Sequence, residues 1–575
     1  VSKKLTVAFF WQASCDSGTG KGGVKMNTSN NKSSIRFYAV LTSMIAFALV
    51  SLNPLTGSVA TAAVGPNVLT LAITAEPRYL DTSKATDELS LFVIGHTMEG
   101  LVRYDQKGKI VPGVAESWTM NDKGATFKLR KNAKWSDGKP VTAQDFVYGW
   151  TVAVDPKTAS EYAFILYNVK NGEAINTKKN PNTKLGVEAI DDYTLKVTFE
   201  NPCGHFLTLL PFATYSPMRK DLHEKLGDKF AADADKTVYN GEYILSKWVH
   251  GASLRMEKNS NYWDKERVQI ATIDVPYITS DDTAIFNLFK DHKIDAVKKL
   301  DKDSLINAQK ENFKLQKFAD GYLRYMQFNF RPGRVTANKN LRKAIQSIFN
   351  PKEYVTTVVG IPGTQQGVGL VPVSMPGKSS PSFRKEYPLP PQKQDLAKAK
   401  QYLQLALKEL NLTKIPPLIW LCADTQLDVQ EAEYFQNLFK RYLSIDLKID
   451  KQIFKQRIAK QMVGEFDLSG TAWGPDYNDP MTFVDLFSSW NENNNGKWVS
   501  DKYDAFVRKA QTSADMKVRM DNMAAAEKYL MEELPMVPLF ERTVMYTHAA
   551  KLQGVVRRAV AFDPDYSYAK VVGSN

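Results

Sequence analysis

Residues 471–483 read TAWGPDYNDPMTF. Trp473 precedes a Gly474-Pro475 break, and Asp476, Tyr477, Asn478 and Asp479-Pro480 follow. Gly and Pro force a tight loop at this point. A carboxylate beside an indole on such a loop suits an ammonium group. The anion pairs with the charge, while the ring shields it from water and adds cation–π attraction. The same residue types also make an ordinary polar turn, with Asp476 as a helix cap and Trp473 in the core.

Other reactive patterns fail on spacing. His223-Glu224 begins like the zinc-protease helix H-E-x-x-H, but its fifth position is Gly227. Gly18–Lys25 (GTGKGGVK) resembles a phosphate loop in composition and lacks G-K-[ST]. The six histidines show no ligand spacing. No G-x-S-x-G is present, and His205 only two positions after Cys203 is not a nucleophile–base geometry. Nothing here supports an enzyme or a resident cofactor.

The elements that must carry the Trp473–Asp476 loop alternate between strand and helix. Val68–Ala72, Thr126–Arg130, Thr194–Phe199, Leu323–Phe330, Leu418–Cys422 and Val537–Phe540 read as strands, and Gly241–Trp248 with Ser253–Glu257 as a hairpin. Helical spacing covers Glu88–Leu101, a segment capped by Thr142, Asn340–Phe349, Asp395–Leu410, Val429–Leu443 and Asp521–Glu533. In Asp395–Leu410 the residues Leu396, Ala399, Leu403, Ala406 and Leu410 share one face, which is expected to be the buried one. Interleaved strands and helices without a repeat predict α/β lobes.

The chain has 575 residues, 43% apolar and 24% charged, with 75 Lys/Arg against 62 Asp/Glu. That composition excludes disordered, fibrous and disulfide-dense classes. The net charge of +13 is scattered rather than blocked, which argues against nucleic acid as a partner. Residues 26–62 carry two cations, an apolar run from Phe37 to about Leu52, and Ala60-Thr61-Ala62. This is the layout of a cleaved secretory signal, with Val1–Lys25 an upstream extension. Its removal would leave a charge of +8, because residues 1–62 hold six Lys/Arg and one Asp. Export would place Cys203 and Cys422 in an oxidising compartment, where two buried free thiols are expected and a pair is the alternative.

Val111–Trp118 (VPGVAESW), Leu129–Tyr148 (LRKNAKWSDGKPVTAQDFVY) and Gly149–Ser160 (GWTVAVDPKTAS) resemble the signature stretches of the oligopeptide-binding proteins of ABC importers. So do Leu185–Phe199, Thr237–Trp248, Asn340–Val359 and Thr471–Phe483, together spanning about 66–575. The resemblance implies a two-lobed periplasmic-binding-protein type II-like fold with an extra small domain and a hinge. One lobe would comprise 66–103, 218–325 and 545–575, the small domain 104–217, and the other lobe 326–544, with crossings near 325 and 545. It implies a monomeric periplasmic receptor that binds an oligopeptide between its lobes. The receptor would pass the peptide to a permease and ATPase complex in the inner membrane. Murein peptides are the close alternative. Haem, nickel chelates and oligosaccharides are further ligands the fold allows, and an exported hydrolase is the rival from another class.

By the same resemblance, Asp476 grips the ligand's α-ammonium, and Trp473 walls a side-chain pocket. Phe454 stands where members often have Trp, and Asn329 falls in a segment contacting peptide backbone. Tyr325 and Tyr477 are further candidates. Two departures stand out. Gly470 occupies a position where members carry Arg, and Asp424–Asp428 (DTQLD) holds no His where some have one. The cations that would set ligand length are therefore missing or moved.

Overall fold

The computed structural model describes residues 67–180 and 182–572. The signal reading and Cys15 lie outside the described residues.

Three sheets carry the chain. The first runs Val68–Ile73, Thr272–Ile278, Ser253–Lys258, Tyr243–Val249 in spatial order, its first pair parallel and the others antiparallel. Leu69, Leu71, Leu254, Met256, Ile273 and Val275 are buried at alternate positions, so one face builds a core. The second sheet is antiparallel, in the order Ala115–Asn121, Gly124–Leu129, Thr194–Thr198, Val187–Asp191. Against it packs helix Ala143–Val154, whose start is a capping box: Asp145 accepts from the Thr142 backbone N–H at 2.8 Å and from Trp135 Nε1 at 3.2 Å.

The third sheet has seven strands. Its path runs Ala296–Val297, Met536–His548, Gln316–Phe328, Leu468–Trp473, Leu418–Ala423, Leu447–Gln452, and Gln365–Gln366 adds to Met536–His548. The two 13-residue strands pair antiparallel from Gln316↔Tyr546 to Gln327↔Met536, with the ladder interrupted between Ala319 and Leu323. Both are longer than their apolar alternation indicates. Arg324 and Arg542 break the pattern yet are accommodated, Arg542 by Asp320 at 2.5 Å and Arg324 by Asp428 at 2.5 Å. The helix expected over Glu88–Leu101 stops at Thr97. Met98 turns extended, and the Thr97 carbonyl accepts from Gly241 N–H.

The cysteines are free and sit in separate apolar cores, Cys203 with the second sheet and Cys422 with the third. No helix among the described residues is long and apolar enough to cross a membrane.

Helix Leu396–Leu410 turns the expected face inward except at its first residue: Leu403 and Leu410 are half-buried against the core that holds Ala399 and Ala406. Only Ala399 and Ala406 are fully buried, packed towards Lys339–Ile348, while Leu396 is 36% exposed. Small residues let the two helices approach closely, which leaves Leu396 at the rim. Leu396→Ala should therefore change stability by less than ~0.5 kcal/mol, and Ala399→Leu should cost about 1–3 kcal/mol by overpacking. Urea unfolding of the two variants measures both.

Candidate functional site: a cleft with an unpaired carboxylate

A cavity of about 240 Å³ lies between the third sheet and the rest of the molecule. Thr471–Asp476 forms one wall, Thr86–Leu89 and Tyr162 stand opposite, and the N-terminal turn of helix Phe454–Val463 closes one end.

Strand Leu468–Trp473 delivers the loop to this wall. One edge pairs with Gln316–Phe328 through Trp473↔Leu323. Its other edge pairs with Leu418–Ala423 only at Leu468 and Ser469. Beyond Ser469 that edge has no strand partner among the described residues, and Thr471–Gly474 lines the cavity. Unused backbone groups on such an edge suit an extended chain.

Asp476 is 9% exposed. Its carboxylate accepts from the Tyr162 hydroxyl at 2.9 Å and from Thr482 Oγ1 at 3.4 Å. No cation pairs with it among the described residues. Burial pushes its pKa up to about 7, and the two hydroxyl bonds pull the other way. The loop itself is held by a buried ion pair, Asp479 with Arg519 at 2.9 Å. Asp476 caps no helix. The half-buried Trp473 donates Nε1 to the Thr482 carbonyl at 2.9 Å and stacks on Tyr162 with centroids 6.2 Å apart.

The structure brings four of the six sequence candidates to the cavity: Asp476, Trp473, Phe454 and Tyr325. Asn329 and Tyr477 lie elsewhere. Asn329 is fully buried, donating Nδ2 to the carbonyls of Gly464 and Phe466 and accepting from Arg331 N–H, so its polar atoms are used in holding a turn. Tyr477 is 3% exposed, stacked on His205, with its hydroxyl donating to Asp485. Pro475 and the turn after it send Asp476 and Tyr477 to opposite sides of the loop.

Sequence reasoning missed Tyr162, Arg324, Arg457 and Gln461, all of which line the cavity. The matched stretch Gly149–Ser160 ends two positions before Tyr162. No local pattern marks the others. Gly470 is explained by its neighbours: a Cβ there would collide with Glu431 Oε1 and sit 2.8 Å from Arg324 Nη2. Cys203 and His205 are 3.7 Å apart, but burial pushes the thiol up to about 12 and the imidazole down to about 4, so neither is primed for acid–base work.

Asp476 and Arg519 should behave oppositely. With a folded pKa raised above its unfolded value, Asp476 contributes stability that is present below 3.8 and is lost as pH rises through about 7. Asp476→Asn should leave stability unchanged at pH 3.5 and raise it at pH 8. Arg519→Met leaves the Asp479 charge buried and should cost about 3–5 kcal/mol. Thermal melts of the unliganded variants at both pH values read the contrast.

Comparison with known proteins identifies the family and the fold. Residues 109–495 match the family described as bacterial extracellular solute-binding proteins, family 5 Middle. The oligopeptide-binding protein OppA of Bacillus subtilis is 31% identical over 507 residues, covering 86% of this chain and 90% of its own. Listeria monocytogenes OppA bound to peptide superposes with a TM-score of 0.83 at 30% identity, covering 89% of this chain and all of that one. The Escherichia coli murein tripeptide-binding protein MppA gives 0.80 at 28% identity over 88% and 99% of the two chains. Its unliganded open form, over 88% and 98%, gives only 0.59 at the same identity. The higher score thus falls to the peptide-bound relative and the lower one to an unliganded open form. The chain belongs to the family 5 bacterial extracellular solute-binding proteins, with the two-lobed α/β fold of periplasmic binding proteins.

Proposed function

We propose that the chain is an exported receptor that encloses an oligopeptide between its lobes and hands it to an ABC importer. The observation that carries this reading is Asp476: a buried carboxylate with hydroxyl partners only, facing a cavity, beside an aromatic pair. An α-ammonium entering there gains a charge-assisted contact of about 1.5–3 kcal/mol net. Trp473 and Tyr162 exclude water from it. The free edge at Thr471–Gly474 reads peptide backbone, which every peptide shares, so side chains are free to vary in hydrated pockets lined by Phe454 and Tyr325.

The names of the relatives support the same reading, since OppA proteins bind oligopeptides and MppA binds murein tripeptide. A murein peptide offers the same charged groups and belongs in any ligand screen. The chain acts by binding rather than by bond chemistry, as a monomer delivering to a membrane permease and its ATPase. We assign the lobes as 66–103 with 218–325 and 545–575, against 326–544, and the small domain as 104–217. Closure would turn on the paired strands Gln316–Phe328 and Met536–His548, a hinge motion. Contacts across the closed cleft include hydrogen bonds and ion pairs, Tyr162 to Asp476, Arg508 to Glu173 at 2.7 Å and Gln426 to Asp303 at 2.8 Å, beside the aromatic stacks of Tyr162 on Trp473 and of His205 on Tyr477.

Calorimetry with free and N-acetylated peptides tests the anchor. Asp476→Asn should weaken free peptides by roughly tenfold to a hundredfold, and acetylation should do the same to the unmutated protein. Equal affinity for both peptide forms would remove Asp476 from this role. The pH dependence has a definite sign. Below about 7 the empty site is protonated, so affinity for free peptides should fall as pH drops from 8 to 5.5, by at most about tenfold per unit. Acetylated peptides should show no such slope.

A further inference from the structure

Six cationic side chains line the cleft, and four of them are paired. Arg324 is saturated by Asp428 at 2.5 Å and by Glu431 at 2.7 Å. Arg542 meets Asp320, Arg558 meets Asp565 at 2.7 Å, and Lys298 meets Glu88 at 3.4 Å. Lys299 has no ion pair among the described residues but is only half-buried, so water serves it. Arg457 is different. It is 8% exposed, its Nε is buried with no hydrogen-bond partner, and its one bond runs from Nη2 to the Gly470 carbonyl at 3.0 Å. No carboxylate lies within salt-bridge distance of it among the described residues.

A guanidinium taken out of water without an anion is strongly disfavoured. Its surroundings confirm the imbalance. Asp428 attracts it at longer range, but Arg324 has already engaged that carboxylate and repels Arg457 in turn. Tyr325 and Cys422 stand near as neutral groups. Burial accordingly pulls the Arg457 pKa down to about 10. The strand explains how the group comes to be there. Gly470 presents no side chain, Glu431 and Arg324 fill the adjoining space, and the exposed carbonyl gives Arg457 its only rest. Asp476 and Arg457 are thus two buried charges of opposite sign in one cleft, each lacking an ionic partner, whereas the buried Asp87 is held by the N–H groups and the Ser90 hydroxyl of the helix it caps.

We propose that Arg457 is the anion receiver of this receptor, binding a carboxylate of the ligand and so selecting peptides that carry one at a fixed distance from their ammonium. This rests on the peptide reading of the cleft. The carboxylate is either the peptide's C-terminus or an acidic side chain, and the chemistry at Arg457 is the same for both. A guanidinium offers two parallel N–H groups to a carboxylate, which gives geometric selection as well as attraction.

The test is calorimetry on the full chain with unmutated protein, Arg457→Gln and Lys299→Gln. Alanine peptides of two to five residues are used as free acids, as C-terminal amides, and as amides with one Glu replacing Ala. One length of free acid should bind the unmutated protein best, and its amide should bind roughly tenfold to a hundredfold more weakly. Arg457→Gln should bind both forms alike, at the level of the amide, while melting no lower than the unmutated protein. A gain from Glu in an amide peptide, present in the unmutated protein and absent in Arg457→Gln, would support the assignment with a side chain as the carboxylate source. Discrimination that survives in Arg457→Gln, or that is lost in Lys299→Gln instead, would overturn it. If the unmutated protein bound none of these peptides and no murein peptide, the peptide reading would fall, and this assignment with it.

Discussion

A carboxylate removed from water and given only hydroxyl partners stays in place because its surroundings are fixed more firmly than it is. Asp476 is in that position. Tyr162 reaches it from the small second-sheet unit, Thr482 from its own loop, and the Arg519–Asp479 pair pins the loop from behind. Each of those supports is buried, so the site cannot relax to solvate the charge. The free energy stored there is released when a cation arrives, which is how an unfavourable group becomes a selective one.

The same logic shapes the rest of the cleft. Charges that serve only the fold are neutralised within it, as in Arg542–Asp320 and Arg324–Asp428–Glu431. Tyr354 adds its hydroxyl to Glu431 at 2.6 Å, completing that cluster's hydrogen bonds. These clusters sit on the two long strands and on the elements that flank them. What they leave over includes the Asp476 carboxylate, the Arg457 guanidinium and an unpaired stretch of backbone.

Much of this was legible in the sequence, and the gaps have physical causes. The Trp473–Asp476 loop announced itself because Gly and Pro isolate it from periodic structure. The capping box at Thr142 and the alternating strands around it were equally local. Asn329 and Tyr477 misled for one reason: a short-range pattern says which residues are near the site in the chain and not which way each side chain turns. Tyr162 and Arg457 were missed because their importance comes from what they face across the fold. The long strands were shortened in the reading because Asp320-Gly321 interrupts one and Glu541-Arg542 the other, and Asp320 and Arg542 neutralise each other only once the two strands pair. The face of helix Leu396–Leu410 was legible from its spacing, and only Leu396, at its first turn, lies outside the contact.

Gly470 carries a consequence for how specificity in this lineage is able to change. Replacing it by arginine alone places a Cβ against Glu431 and close to Arg324, both already committed to each other. The exchange of one anion receiver for the other is therefore epistatic. It requires the 431–324 pair to be dismantled first, and that intermediate loses a buried network before it gains a ligand contact. A receptor built this way does not reach arginine at position 470 by a single tolerated step.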